Sequence, residues 1–136
     1  MYLLDTHVIS ELRKPQADAN VVSWAKGVIA PCVYISAITL KELETGVLRT
    51  ERRDPAQGKL LRSWLTRHVM PAFEARILPV DAAVALRCAS LHVPDQTNES
   101  DALIAATALV HGLTVVTRNV DDFRSSGVAV INPWEQ

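Results

Sequence analysis

Residues 1–12 read MYLLDTHVISEL, in which an apolar run meets a carboxylate and then a helical pattern. Tyr2–Leu4 is apolar and predicts a short buried strand, and the spacing of apolar residues from Val8 to Arg13 predicts a helix that ends before Pro15. Asp5 lies at the junction, where a core strand ends in a carboxylate. In open α/β sheets this position belongs to the edge where ligands bind, so Asp5 is a candidate functional residue.

Length and composition predict one globular domain over residues 1–136. Hydrophobic residues make up 49% of the chain and charged residues 21%, which leaves no long polar tract. The formal net charge is −1, so any binding of nucleic acid must depend on local basic patches. Acidic and polar residues interrupt the amino-terminal apolar run, as they would not in a signal peptide, and no stretch is suited to span a bilayer. We therefore expect a cytoplasmic protein without a membrane partner.

The cysteines and histidines give little support for a disulfide framework or a zinc site. Cys32 and Cys88 are expected to be buried free thiols. The four histidines are scattered and include no H-x-x-x-H pair; they are His7, His68, His92 and His111.

The rest of the chain alternates short apolar runs with longer helical patterns. Further strands are predicted at Cys32–Ser36 and residues 76–80, 113–117 and 128–132. Helices are predicted at residues 17–26, 38–53, 56–70, 82–92 and 101–111, with Pro71 closing the third and one helical turn at 119–123. Parallel strands need crossover helices, so this alternation predicts an α/β sandwich with a mainly parallel sheet.

The helices on either side of Asp54-Pro55 are expected to form a hairpin. Their apolar residues exceed what one side of a small sheet requires; they are Leu40, Leu43, Val47, Leu60, Leu61, Trp64 and Leu65. Part of this surface is therefore expected at an interface, and the alternative is that both helices only close the core.

Four acids lie where such a sheet keeps its sites. Asp5 and Asp122 follow strands, whereas Glu42 and Asp101 lie in the first turns of helices. Each acid alone can be explained by helix capping: Asp5 could cap the first helix, and three cap-and-acid spacings occur at Thr39-x-x-Glu42, Asn98-x-x-Asp101 and Asn119-x-x-Asp122.

Together, the four acids indicate a metal site. Carboxylates gathered at one edge repel one another unless a cation lies among them, and oxygen ligands favour Mg²⁺ or Mn²⁺. Such a site suits phosphate chemistry. Nearby polar groups could orient the carboxylates or the metal-bound waters; they are Thr6, Ser36, Thr117 and Asn119.

Four segments, in order and across nearly the whole chain, resemble PIN-domain ribonucleases, specifically the VapC-type toxins of bacterial toxin–antitoxin pairs. They are LLDTHVISEL, KELETG, SDALIAATALVHGLTVVTRNVDDF and GVAVINPW. The resemblance implies a three-layer α/β/α sandwich with a five-stranded sheet. It also places Asp5, Glu42, Asp101 and Asp122 in the family's acidic metal-binding quartet, with Asp122 favoured over Asp121.

The implied activity is Mg²⁺- or Mn²⁺-dependent endonucleolytic cleavage of RNA by a metal-activated water, without a covalent intermediate. The implied partners are a second copy of the chain and a cognate antitoxin, which would insert a cation beside Asp5 and Asp101. Candidate RNA contacts are Arg13, Lys14, Arg49 and Arg118, and a solvated helix face is the alternative for Arg52 and Arg53.

Two other functions remain in view. A haloacid dehalogenase-type phosphatase needs a second aspartate two residues after the first, where this chain has His7. A stronger rival is a non-catalytic partner in a toxin–antitoxin complex that binds promoter DNA through the antitoxin. Four retained acids favour the nuclease.

Overall fold

The structure, a computed structural model, describes residues 1–135 and contains one five-stranded parallel sheet. The strands are β1 (Tyr2–Leu4), β2 (Val33–Ser36), β3 (Ile77–Leu78), β4 (Thr114–Val116) and β5 (Val130–Ile131). Their order is β3-β2-β1-β4-β5, and every pairing is parallel. Strands β2 and β3 lie on one side of β1, and β4 and β5 lie on the other, so the strand order reverses at β1. The carboxyl end of β1 is therefore at a position where α/β folds bind ligands.

Helices make all the long crossovers between the strands. They are α1 (Thr6–Arg13), α2 (Ala19–Lys26), α3 (Ala37–Arg53), α4 (Pro55–Trp64), α5 (Met70–Ala72), α6 (Ala82–Leu91), α7 (Glu99–His111) and α8 (Val120–Arg124). None of these helices is long and apolar enough to cross a membrane.

Side chains alternate between the two faces of the sheet, as the period of a strand dictates. Leu4 and Val116 pack against α1–α4, whereas Leu3 and Val115 pack against α7 and α8. Helix α6 lies outside α7 and contacts it through a small cluster of Val84, Cys88, Ala102 and Ala106. The three-layer α/β/α sandwich is thus confirmed, and the small residues of α7 allow the predicted close packing.

Several helices begin at a different residue from the one predicted, because a polar side chain caps them earlier or later. Helix α1 begins at Thr6, directly after its cap Asp5, and not at Val8. Helix α7 begins at Glu99 because the Asn98 side chain accepts the Asp101 N–H. Helix α2 begins only at Ala19, since the Asp18 carboxylate accepts two N–H groups of its first turn.

Pro71 does not end its helix, contrary to the prediction. A wide π-helical turn over Leu65–Val69 precedes it, in which the Met70 N–H reaches the Leu65 carbonyl five residues back. The helix then continues through Pro71 to Ala72. Proline lacks an N–H and clashes with the carbonyl four residues earlier, so a wider turn just before it lets the helix continue.

The predicted hairpin of α3 and α4 is present and mostly closes the core. Leu43, Val47 and Leu65 are buried, whereas Leu60 is 62% exposed and Leu48, outside the predicted set, is 54% exposed. Arg62 of α4 forms two hydrogen bonds to Glu44 of α3, at 2.6 and 2.7 Å. The side chains of Glu44 and Glu51 hold the pKa of this guanidinium above its usual range. Most of the apolar surface is therefore used within the chain.

The two cysteines differ in burial. Cys88 is buried as predicted, but Cys32 is partly exposed because it ends a short 3-10 turn before β2. Neither forms a disulfide.

Substituting Gly58 tests the close approach of α3 and α4. A Cβ atom at this position would lie 2.4 Å from Glu51 Cα, so Gly58→Ala must push the helices apart. We expect a loss of about 1–3 kcal/mol in the free energy of unfolding, measured by urea denaturation. The control is Gly46→Ala, where a Cβ meets nothing within 4 Å and helix propensity predicts a gain of about 0.5–1 kcal/mol. Equal stability of the two variants would contradict this packing.

Candidate metal centre

Asp5 is buried at the carboxyl end of β1 and both of its carboxylate oxygens are held. Oδ1 accepts the Thr6 backbone N–H at 2.8 Å, and Oδ2 accepts the Thr117 hydroxyl at 2.8 Å. Thr117 is fully buried just after β4, and its hydroxyl oxygen in turn accepts the Asn119 N–H at 3.0 Å. The two central strands thus fix one carboxylate through a chain of hydrogen bonds.

Glu42 is tied to the same edge from the neighbouring helix. The Thr6 hydroxyl donates to Glu42 Oε1 at 2.8 Å, which links the first turn of α1 to α3. Ser36 is fully buried and its Oγ accepts the Ile38 N–H, so it caps the helix on which Glu42 lies. The capping box predicted from Thr39 is therefore wrong, because α3 starts one turn earlier.

Asp101 is surrounded by the other three acids. Its pKa is raised from 3.8 to about 6, first by burial and then by the charges of Asp122, Asp5 and Glu42. The charge of His7 acts in the opposite direction. The four predicted acids therefore lie together in the structure, and their repulsion disfavours the charged form of Asp101.

The structure distinguishes the two neighbouring aspartates of α8. Asp122 raises the pKa of Asp101, whereas Asp121 is 89% exposed in its side chain and pairs with Arg124 at 2.9 Å. Asn119 precedes α8 but makes no capping bond with its side chain. Asp122 is accordingly the acid of this pair that contributes charge to the cluster.

The sequence analysis did not identify His7 as part of this edge. Its Nδ1 atom lies 3.5 Å from Asp5 Oδ2 and 3.4 Å from Asn119 Nδ2. The available signal was its position two residues after a strand-ending acid, in the first turn of α1. It is exposed, so it adds a titratable group at the rim of the acidic cluster.

The predicted basic residues lie in different surroundings. Arg13 and Glu42 line one cleft of about 230 Å³, and Arg49 lines a second, of about 270 Å³, beside the same Glu42. Arg118 and Asp122 line a third of about 450 Å³. Lys14 pairs with Glu11 at 3.1 Å, although its side chain is 60% exposed.

A second group of possible metal ligands joins α6 to α7. It consists of Cys88, His92 and Glu99, whose ligand atoms lie within 4.8 Å of one another. The sequence analysis missed it because the three ligands are different residue types, and the loop between the two helices brings the third to the other two. Cys88 and His92 are four residues apart, which places them on one face of a helix.

Comparisons with known proteins agree with this fold. The PIN domain family matches residues 2–127. Toxin FitB of Neisseria gonorrhoeae is 41% identical over 139 residues, covering 98% of this chain and 99% of that protein. VapC ribonuclease Y4jK of Sinorhizobium fredii is 37% identical over 143 residues, covering 99% of each. The crystal structure of FitAcB from Neisseria gonorrhoeae superposes with a TM-score of 0.93, at 40% identity and 100% coverage of both chains.

The match over residues 2–127 covers nearly the whole chain, and the five-stranded parallel sheet flanked by helices is the PIN fold, so the chain belongs to the PIN domain family. Among PIN domains it groups with the toxins of the VapC and FitB type, as the resemblance predicted.

Repulsion at Asp101 should make stability depend on pH in the metal-free protein. Its pKa is raised on folding from 3.8 to about 6, so its contribution is most favourable below about pH 4 and is lost as pH rises through 6. With EDTA present, Asp101→Asn should therefore raise the melting temperature at neutral pH, and this advantage should shrink towards pH 4. Asp121→Asn, at a neighbouring acid outside the cluster, should show no such pH-dependent gain. An Asp101→Asn variant less stable than the parent at neutral pH would contradict the repulsion.

Proposed function

We propose that this chain is a Mg²⁺- or Mn²⁺-dependent endoribonuclease toxin, neutralised by a cognate antitoxin. The observation that supports this most directly is the raised pKa of Asp101 among three other carboxylates, which leaves excess negative charge for a cation. Relatives named as ribonucleases, such as VapC ribonuclease Y4jK, support the reaction class.

The residues of the cluster fit a hard divalent cation. All four acids offer only oxygen atoms, which Mg²⁺ and Mn²⁺ prefer over nitrogen and sulfur. Asp5 is already oriented by Thr6 and Thr117, so little side-chain freedom is lost on binding. Asp5, Glu42 and Asp101 would hold the ion, and Asp122 would complete the site directly or through water. A bound ion supplies a water of lowered pKa and neutralises charge on the phosphodiester.

The residues of the cluster determine how binding of a cation depends on pH. Because Asp101 holds its proton up to about pH 6 without metal, binding of a cation must release that proton at acid pH. The Thr117 hydroxyl keeps Asp5 Oδ2 in place, and the Thr6 hydroxyl does the same for Glu42. A carboxylate cluster of this kind needs no histidine as general base.

The RNA substrate would cross the rim of the acidic cluster. Arg13, Arg49 and Arg118 lie in three clefts that also contain acids of the cluster, so they can hold phosphates on either side of it. Lys14 is a fourth candidate because its pairing with Glu11 leaves its side chain largely exposed. These local cations offset the absence of an overall positive charge.

The antitoxin would bind along a line of adjoining clefts. An apolar cleft between α2 and α5 shares Leu12 and Phe73 with a second one, which shares Arg13 and Trp64 with the cleft beside Glu42. We call this line the apolar groove. It leads a bound segment from exposed apolar surface to the acids, where an arginine or lysine of the antitoxin would take the place of the metal.

Assembly at promoter DNA is a second candidate role. A related complex with a TM-score of 0.86 and 37% identity is described as FitAB bound to an IR36 DNA fragment. In that role the antitoxin would contact the DNA, and this chain would contribute dimerisation. The exposed Leu48 and Leu60 of the α3–α4 hairpin are candidates for the contact between two copies.

Cleavage assays with acid variants test the nuclease. Asp5→Asn and Asp101→Asn should each lower Mg²⁺-dependent RNA cleavage more than about 100-fold, since loss of a ligand exceeds the 10–100-fold typical of supporting residues. Thr117→Val should lower it about 10–100-fold by freeing Asp5. Asp122→Asn should also lower cleavage. Its matched control is Asp121→Asn, which should cleave like the parent. Full activity of Asp101→Asn would overturn the assignment.

Antitoxin binding can be separated from cleavage. Leu12→Glu places a charge in the apolar groove and should weaken binding of the antitoxin by at least about tenfold, measured by calorimetry, while RNA cleavage is retained. Leu86→Glu is the control, because Leu86 is 75% exposed on α6, outside the groove. Inhibition of cleavage should also weaken as Mg²⁺ is increased. Equal effects of the two substitutions would contradict the groove as the binding surface.

A further inference from the structure

Three ligand groups from two helices meet where α6 passes to α7, and none of them belongs to the acidic cluster. Cys88 Sγ lies 3.7 Å from His92 Nε2, and Glu99 Oε2 lies 2.9 Å from the same nitrogen. Cys88 is 4% exposed, His92 is partly buried and Glu99 is exposed. The site is therefore formed by a buried thiol, an imidazole at the end of α6 and an exposed carboxylate.

Two of the three distances between the ligand atoms are close to those of a small tetrahedral ion. With Zn–S near 2.3 Å and Zn–N and Zn–O near 2.0–2.1 Å, tetrahedral geometry separates sulfur and nitrogen by about 3.6 Å and nitrogen and oxygen by about 3.3 Å. The observed Cys88–His92 distance already matches the first value. The Glu99 oxygen would need to move outward by about 0.4 Å, which is easy for a side chain 66% exposed.

We propose that Cys88, His92 and Glu99 form a Zn²⁺ site that joins α6 to α7. Thiolate, imidazole and one carboxylate are a donor set that selects zinc over Mg²⁺. The exposure of Glu99 leaves the fourth position open to water. This site goes beyond the proposed nuclease and does not depend on it.

Binding requires two changes of protonation, one at Cys88 and one at His92. The Cys88 thiol releases its proton to solvent as the S–H bond is replaced by Zn–S. His92 Nε2 must be free of its proton, which moves to Nδ1, where Thr97 Oγ1 lies 3.3 Å away and can accept it. The Thr97 N–H, 3.1 Å from Nδ1, then faces a second N–H in place of an acceptor, so the loop must shift on binding, and the zinc–ligand bonds have to offset this cost.

The site would fix the start of the helix that holds Asp101. Glu99 is the first residue of α7, and residues 93–98 lie between it and His92. A metal bridge across this loop therefore ties the amino end of α7 to α6. Zinc at this position acts on the fold, whereas the acidic cluster retains its own preference for oxygen-bound ions.

Cobalt and zinc titrations of the full-length protein test the site. Co²⁺ should produce a thiolate-to-metal absorption band in the parent and in Cys32→Ser, which retains Cys88, and no band in Cys88→Ser. Zn²⁺ in excess should raise the melting temperature of the parent and of Asp101→Asn, because it binds only the folded state. Loss of the Zn²⁺ effect in Asp101→Asn, or its persistence when Cys88→Ser is added to Asp101→Asn, would overturn the assignment.

Two exposed or partly exposed ligands keep the test valid if Cys88→Ser disturbs folding. His92→Gln and Glu99→Gln leave the buried thiol in place, and each should weaken Zn²⁺ binding by at least about tenfold in calorimetry. Ser90→Ala, an exposed position on the same helix, should bind like the parent. Parent-like affinity in both His92→Gln and Glu99→Gln, or no Co²⁺ thiolate band in the parent, would show that the cluster is not a metal site.

Discussion

Repulsion among four carboxylates is the constraint around which this molecule is arranged. Among residues 1–135, none of the four forms an ion pair with lysine or arginine; the sole charged contact is from His7 to Asp5 at 3.5 Å. Neutral donors hold two of them instead: the Thr6 backbone N–H and the Thr117 hydroxyl hold Asp5, and the Thr6 hydroxyl holds Glu42. Neutral donors fix a carboxylate without cancelling its charge, so the site keeps its attraction for a cation.

Packing and helix capping in the rest of the fold offset the repulsion among the acids and hold the site rigid. Two of the three inner strands, β1 and β4, have buried side chains on both faces, and α7 approaches the sheet closely through its alanines. Helices α3 and α7 each begin with a side-chain cap, Ser36 and Asn98, close to the acid they present. Packing and capping thus hold in place groups that would otherwise separate.

The sequence predicted the parts of this structure that depend on local pattern. It predicted the alternation of strands and helices, the four acids and the break at Asp54, because each follows from periodicity, capping or the geometry of parallel sheets. The prediction that Pro71 ends a helix was wrong, because the π-helical turn before it depends on hydrogen bonding that no residue type specifies. The group of Cys88, His92 and Glu99 was missed because its third member is set by the path of a loop, and His7 because a single exposed histidine has no distinctive spacing.

The hydrogen bond from Thr117 to Asp5 joins residues separated by 112 positions. Contacts of such long range form late, because the entropy of closing the intervening loop must be overcome first. During synthesis, a ribosome that has released β1, β2 and the α3–α4 hairpin has made two of the four acids and none of the strand that orders Asp5. The acidic cluster therefore cannot be completed before β4 and α8 have been made, and a chain that stops short of them does not contain it.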